Sequence, residues 1–590
     1  MHPFFSAHSI WKAAAFFLFL AGTAGAGVRP VQDRLAEQNA LFRRQQQADL
    51  DASPEAQTER GDYRHNAELD DRSLTAIKKQ NAVDQLFRRQ LAAISTDGFP
   101  EEDRLSHNLL LYDLDERIAD YEWKEYEMPL TQIDGIHTRL ARLPHSVPLD
   151  SLQHYEDYIV RLRQIPRALE STVAVLRQGE KDGLVPLRLF LDQIPAQCEK
   201  ITSENPFLEP ARHFPASISP ADQAHVRDQI VQVVQQEVLP AYRRFSLFMA
   251  QEYLPYGRTS ISESSLPDGR RRYEKLIHKQ TTTRMTAAEI HALGLREIAR
   301  INGLLAEVAH KASYPDLKSY RAALNNDPRY VPQSAQQIVG DFRRYVEQMR
   351  SRLPALFHAV PDTHLIVEAM SPSERPNITH YVYGSADGRE PSRVLVAISD
   401  YPHRKLIGDE VMAYHEGLPG HELQASIEQR QLKNFPEFRR TMRNNAYLEG
   451  WAVYAEALGK EVGLFQDPAS DYGRLNTELM RAVRLVVDTG IHSENWSRDQ
   501  AAAYFRESGA VDEPTIQSDI DRCIRWPAQG LSYKIGQLKI LELRDRAQKT
   551  LGSRFDIRAF HDEVLNSGCL PLDLLEAKID RWIGHQLTKS

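Results

Sequence analysis

Between Leu69 and Arg177 the apolar residues often return every three or four positions, and that spacing restricts the segment to helices packed on one another. Val83, Phe87, Leu91 and Ile94 form one stripe, and Leu111, Leu114, Ile118 and Tyr121 form another. Pro144, Pro148 and Pro166 read as punctuation between helices. Ala221 to Leu254 is a further long helical stretch. It leads to a Leu266-Pro267-Asp268-Gly269 turn, with Gly where a positive φ is expected. Thr286 and Glu289 then make a capping box that opens a helix running to about Ala309. The predicted organisation is a signal segment (1–26), a mobile or helical leader (27–60), an N-terminal helical half (61–265) and a C-terminal half (266–590) that carries the chemistry.

One region breaks the helical pattern. Asn377 to Tyr383 and Arg393 to Ser399 are rich in Val, Ile, Thr and Tyr, and Gly384 to Pro391, with Asp387-Gly388, supplies a turn. The expectation is a mainly α protein with a small β-hairpin or sheet.

The N-terminus has a weakly positive start with His2 and Lys12, an apolar run from Ala13 to Ala21, and small residues through Ala26. The run is too short to span hydrocarbon and reads as a secretory signal cut after Ala26. No stable membrane insertion is expected after cleavage, and the location is periplasmic if the source has two membranes. No Cys lies near that cleavage site to carry a lipid. The net charge of -8 comes without a basic cluster longer than Arg270-Arg271-Arg272, which argues against a nucleic-acid partner. Cys198, Cys523 and Cys569 are an odd set with no Cys-x-x-Cys. Cys523 could pair with Cys569, or all could be buried thiols.

Asp409 to Gln429 reads DEVMAYHEGLPGHELQASIEQ, with His415, Glu416 and His421 on helical sequence. In His-Glu-x-x-His zinc peptidases a four-residue spacing places both imidazoles on one face, roughly 40° apart. Six residues on an unbroken helix separate them by roughly 120°, so a shared ion requires a break. Gly417-Leu418-Pro419-Gly420 supplies one. The alternative is two separate helices with two surface histidines. Downstream, Glu449 on a second helix offers a third ligand, leaving a fourth position for water. Gly450 permits close helix approach there, and Glu456 is either a carboxylate behind a ligating His or a surface ion pair. Glu422 competes as an acid beside His421 but fits a place facing solvent or supporting the ligands.

The run His-Glu-Gly-x-Pro-Gly-His, then Glu449-Gly450-Trp451-Ala452, Arg481 to His492, Tyr533 to Leu538 and Leu266 to Gly269 together resemble a large bacterial family catalogued as domain of unknown function 885. The resemblance covers most of the mature chain. It implies a large multi-helix fold similar to thermolysin-like and oligopeptidase-type metallopeptidases. Two departures from its pattern are Glu422, where a second His is frequent, and Trp526 to Gly530, where a Pro-Gly-Gln order is more usual.

The roles that follow are a zinc ion on His415, His421 and Glu449, with manganese, cobalt or iron not excluded, and Glu416 as general base. By analogy with related peptidases, His492 and Tyr533 are the candidate oxyanion donors, with Asp488 one turn before His492 to orient it. Arg481, Arg484, Arg525 or Lys534 could bind a substrate carboxylate, and Tyr381 and Tyr383 could line a cleft where a peptide adds to the hairpin edge. The function this points to is an exported peptidase of short peptides, carboxypeptidase-like in one version. An amidohydrolase acting on a modified amino acid or cell-wall peptide, and a non-catalytic binding protein, are the alternatives. The sequence fixes no oligomeric state.

Overall fold

The computed structural model describes residues 29–131, 135–362, 364–371, 378–385, 389–399 and 401–588. The signal segment and the Asp387-Gly388 turn lie outside them. The described chain is mainly helical with one small three-stranded sheet. No described helix is long and apolar enough to cross a membrane.

The leader forms the helix Val31–Ala52, which buries Leu41 and Phe42 against Phe87, Leu91, Leu110 and Leu114. The longest N-terminal helix, Leu152–Asp182, starts where the Ser151 side chain accepts the His154 N–H and stops at Gly183. Pro166 lies inside this helix rather than at its end. The buried stripe of Tyr155, Tyr158, Ile159, Leu162, Ile165, Leu169 and Leu176 runs through it, and that burial outweighs one lost backbone bond. Pro220 to Leu254 is continuous helical structure with two wider π turns, Val234–Val238 and Phe248–Tyr253.

In the turn before the second half, Asp268, not Gly269, takes the left-handed conformation, at φ 53°. Gly269 is required for a different reason: a Cβ there would lie 2.2 Å from the Glu263 carbonyl oxygen. The Thr286 capping box forms with both reciprocal bonds and opens the helix Ala287–Lys311. That helix packs along Pro468–Glu494. The two predicted strands pair antiparallel as β2 (His380–Val382) and β3 (Arg393–Val396), with Tyr381 opposite Val394. A third strand, β1 (Ile366–Ala369), runs parallel to β3 on its other side, so the order is β1-β3-β2 and β2 is an edge. With four residues and no hairpin partner, β1 gave no periodic signal.

The largest core contains Val411, Tyr414, Leu418, Trp451, Tyr454, Leu531 and Ile535, from the helices that carry the candidate site. Leu105 and Leu109, from the N-terminal half, belong to this same core. All three cysteines are buried free thiols, so Cys523 and Cys569 do not pair. Cys523 packs in a neighbouring core formed with Val487 and Ile491.

Candidate metal centre

His415 closes one helix, Asp409–Glu416, and His421 opens the next, His421–Gln431. Between them the chain doubles back through a cis Leu418–Pro419 bond. The reversal depends on Gly420, whose N–H donates to the Tyr414 carbonyl at 3.0 Å. A Cβ at Gly420 would lie 2.0 Å from the His415 carbonyl oxygen, so no other residue fits. Trp451 then ties this turn to the helix of Glu449 by donating its indole N–H to the Pro419 carbonyl at 3.0 Å. The helices do end and restart as the bland alternative required, yet the imidazoles are not on the surface. They converge, with ring centroids 4.9 Å apart.

Glu449 comes from the helix Asn445–Glu461, which crosses Leu531–Leu551 at Gly450 and Gly536. Its Oε2 stands 3.5 Å from His415 Nε2 and 3.4 Å from His421 Nε2, and no partner completes a hydrogen bond of proper geometry to it. Donors held at about 2.0–2.1 Å from one tetrahedral ion are separated by roughly 3.3–3.4 Å. The three side chains are the one group among the described residues with donor spacing suited to a metal. Two imidazoles and a carboxylate therefore fit a divalent ion such as zinc.

Behind this cluster, His415 Nδ1 lies 2.8 Å from Glu456 Oε1, and Arg481 holds the same carboxylate at 2.7 Å and 3.1 Å. Glu456 and Arg481 are each 2 % exposed, so this is a buried support rather than a surface ion pair. An Nδ1–H donated to Glu456 leaves the Nε2 lone pair aimed at the site. Burial would lower the pKa of His415, but the Glu449 and Glu456 carboxylates outweigh it and raise the ring to about 9. Burial also opposes the charge on Glu449, and His415 and His421 more than compensate, holding it well below the usual carboxylate range. The pocket thus favours positive charge among fixed acids.

Glu416 follows His415 and is 7 % exposed. Its Oε2 accepts the backbone N–H of Tyr381 at 2.9 Å, which places the edge strand β2 against the candidate general base. The Tyr381 ring sits 6.3 Å from His421, and Tyr383 packs edge-on to Tyr381 at 5.0 Å. Glu422 is buried and accepts from Ser392 and Ser426, tying its helix to the hairpin.

Tyr533 lies one turn before Gly536 at the helix crossing. Burial raises its pKa, as does the nearby Glu449 charge, while Arg522 and Arg484 oppose. Its hydroxyl accepts from Arg522 at 2.6 Å, which leaves its own proton to donate elsewhere.

His492 is not brought to this cluster. It is fully buried, with Nε2 3.0 Å from the Cys523 carbonyl and Nδ1 accepting the Glu263 N–H at 3.2 Å. Both ring nitrogens are thereby taken by backbone. Asp488 does not orient it through a hydrogen bond but accepts from Tyr273 and from the Ala528 N–H. Three of the four basic candidates are also committed: Arg481 to Glu456, Arg484 to Asp519, and Lys534 to Glu478 and Glu297. Arg525 packs over Trp526. The Tyr381 N–H and Arg522 were missed, and no motif marked either.

The family described as bacterial protein of unknown function (DUF885) matches residues 54–579, and the chain belongs to it. No curated protein matches. A solved structure described as a candidate lipoprotein from Colwellia psychrerythraea is similar at a TM-score of 0.82 and 25 % identity, covering 94 % of this chain and 99 % of its own. A second, a candidate lipoprotein of unknown function from Shewanella oneidensis, shares the fold at a TM-score of 0.71 and 16 % identity, covering 92 % of this chain and 99 % of its own.

Proposed function

We propose that this DUF885 member is an exported zinc-dependent peptidase acting on short peptides. The observation that carries the reading is the convergence of His415, His421 and Glu449 at ligand spacing, with Glu456 behind one imidazole and Glu416 beside it. Zinc held by His415, His421 and Glu449 would supply an acidified water and a Lewis acid for the carbonyl. Glu416, positioned by the Tyr381 N–H, takes the proton from that water and passes it to the leaving amine. Tyr533, whose hydroxyl accepts from Arg522, stabilises the developing oxyanion by hydrogen-bonding to it through its O–H. A peptide lies beside β2, with Tyr381 and Tyr383 lining the cleft next to His421 and Glu416. Export accords with the signal-like N-terminus and with relatives described as candidate lipoproteins.

The test is protein purified without added metal, analysed for metal content and then incubated with a peptide mixture. About one zinc per chain, cleavage that chelation removes, and loss of cleavage but not of metal in Glu416→Gln support the proposal. A chain that binds no divalent ion contradicts it.

A further inference from the structure

We propose that Arg522 captures the terminal α-carboxylate of the substrate, so that the enzyme removes one or two residues from the C-terminus of peptides. This rests on the peptidase reading above and specifies its substrate class.

Arg522 lies on the helix Glu513–Arg525, where the neighbouring acids are already used. Asp519 is held by Arg484 at 2.7 Å and Asp521 by Arg498 at 2.6 Å. Arg522 has only neutral partners: its Nε donates to Gln529 at 2.9 Å and one terminal nitrogen to the Tyr533 hydroxyl at 2.6 Å. A partly buried guanidinium without a carboxylate is costly to leave so and suits a ligand that brings one. The planar fork keeps donors in reserve for a bidentate carboxylate. Arg481, Arg484 and Lys534, also near the site, lack that capacity because each is closed in a buried ion pair.

Position sets the register. Tyr533 packs against Arg481, whose Cζ lies 5.8 Å from its ring centroid and which itself reaches His415 Nδ1 at 3.3 Å, and Arg522 touches the hydroxyl of Tyr533. A scissile carbonyl held by Tyr533 and a carboxylate held by Arg522 are then bridged by three hydrogen bonds end to end, a span of about 8–10 Å. Extended chain advances roughly 3.3–3.6 Å per residue. One or two residues fit between the bond cut and the chain end; three do not.

The experiment compares metal-loaded wild type and Arg522→Gln on one heptapeptide made as the free acid, the C-terminal amide and the N-acetylated free acid, with products read by mass spectrometry. In parallel, calorimetry compares Ala-Phe with Ala-Phe amide binding to the Glu416→Gln protein, with and without Arg522→Gln. The expected result is loss of one or two C-terminal residues from the free acid, N-acetylated or not. The amide is expected to be cut at least tenfold more slowly. In the binding assay the free dipeptide is expected to be preferred at least tenfold. Arg522→Gln removes both preferences while metal content and Tm hold, and Arg522→Lys restores part of each. Equal cleavage of the amide, internal or N-terminal cleavage, or a preference that survives Arg522→Gln overturns the inference and leaves the peptidase reading standing. If no peptide of any form is cut by zinc-loaded wild type, the reading itself falls and this inference with it.

Discussion

Gly450 and Gly536 face each other where their two helices cross, and a Cβ built on Gly450 would lie 2.5 Å from the Gly536 Cα. Glu449 and Tyr533 flank that crossing, so the helix separation sets where the Glu449 carboxylate and the Tyr533 hydroxyl stand. Gly450→Ala must push the backbones apart, because the obstructing atoms are main chain and cannot rotate away. Overpacking of this kind costs about 1–3 kcal/mol. The expected outcome is a lower urea midpoint together with weaker metal retention, read by denaturation and by competition with a chelator. A variant as stable and as metal-tight as wild type would show that the crossing does not position Glu449.

Glu456 fixes the orientation of His415 without touching the ion position, and Arg481 balances its charge. Glu456→Gln keeps the shape and one acceptor but removes the negative charge that favours a cation at His415. Metal affinity is expected to fall on the order of 10–100-fold. Stability without metal also drops, since the buried Arg481 guanidinium loses its counter-charge. Titration of the metal-free protein with zinc measures the first effect separately from the second. An unchanged zinc affinity would assign Glu456 to packing alone.

The grouping of His415, His421 and Glu449 was legible in the sequence because its signals are local. A Pro-Gly break between His415 and His421 must bend the chain, and a carboxylate beside Gly450 on a following helix has little else to face. It misplaced His492 because a histidine at a helix end beside an acid looks the same whether it faces a cleft or a core. Only packing from Glu263 and Cys523, 229 and 31 residues away in the chain, decides that. Arg522 was hidden for a related reason. Which arginine lacks an acid depends on pairings such as Arg484–Asp519 and Arg498–Asp521, which join separate turns and helices. Most helices were legible from the three- and four-residue spacing. Strand β1 was not, because a parallel partner reached from a distance leaves no turn signal.

Acid sensitivity follows from His561, which packs against Trp451 and Tyr454 of the helix Asn445–Glu461. Its Nδ1 donates to the Leu356 carbonyl at 2.9 Å, and its Nε2 accepts from the Tyr454 hydroxyl at 2.7 Å. Burial lowers its pKa from 6.5 to about 3. The unfolded chain therefore binds a proton below pH 6.5 that the folded chain refuses until about pH 3. This contribution to stability is complete above pH 6.5 and declines as pH falls toward 3. Each pH unit inside that window costs about 1.4 kcal/mol from this one ring. Urea unfolding of the metal-free protein between pH 4.5 and 8 should show the decline, and His561→Gln should flatten that part of it. An acid-side slope left unchanged in His561→Gln relative to wild type would refute the assignment.

Tyr533 and His492 were equal candidates for the oxyanion donor, and their surroundings now separate them. The Tyr533 hydroxyl accepts from Arg522 and so keeps its own proton to give. His492 has neither nitrogen to spare, since one is bonded to the Cys523 carbonyl and the other to the Glu263 N–H. Tyr533→Phe removes one hydroxyl from the site, and loss of a single oxyanion donor lowers kcat about 10²–10³-fold. KM and Tm should change less than kcat, since Arg522 loses only one of its two partners, Tyr533, and keeps Gln529. His492→Gln is expected to do the reverse, lowering Tm because two backbone groups lose a buried partner while leaving kcat of the folded enzyme within a few-fold of wild type. Steady-state kinetics and thermal unfolding on both variants decide between them, because a kcat that collapses in His492→Gln but survives in Tyr533→Phe would invert the assignment.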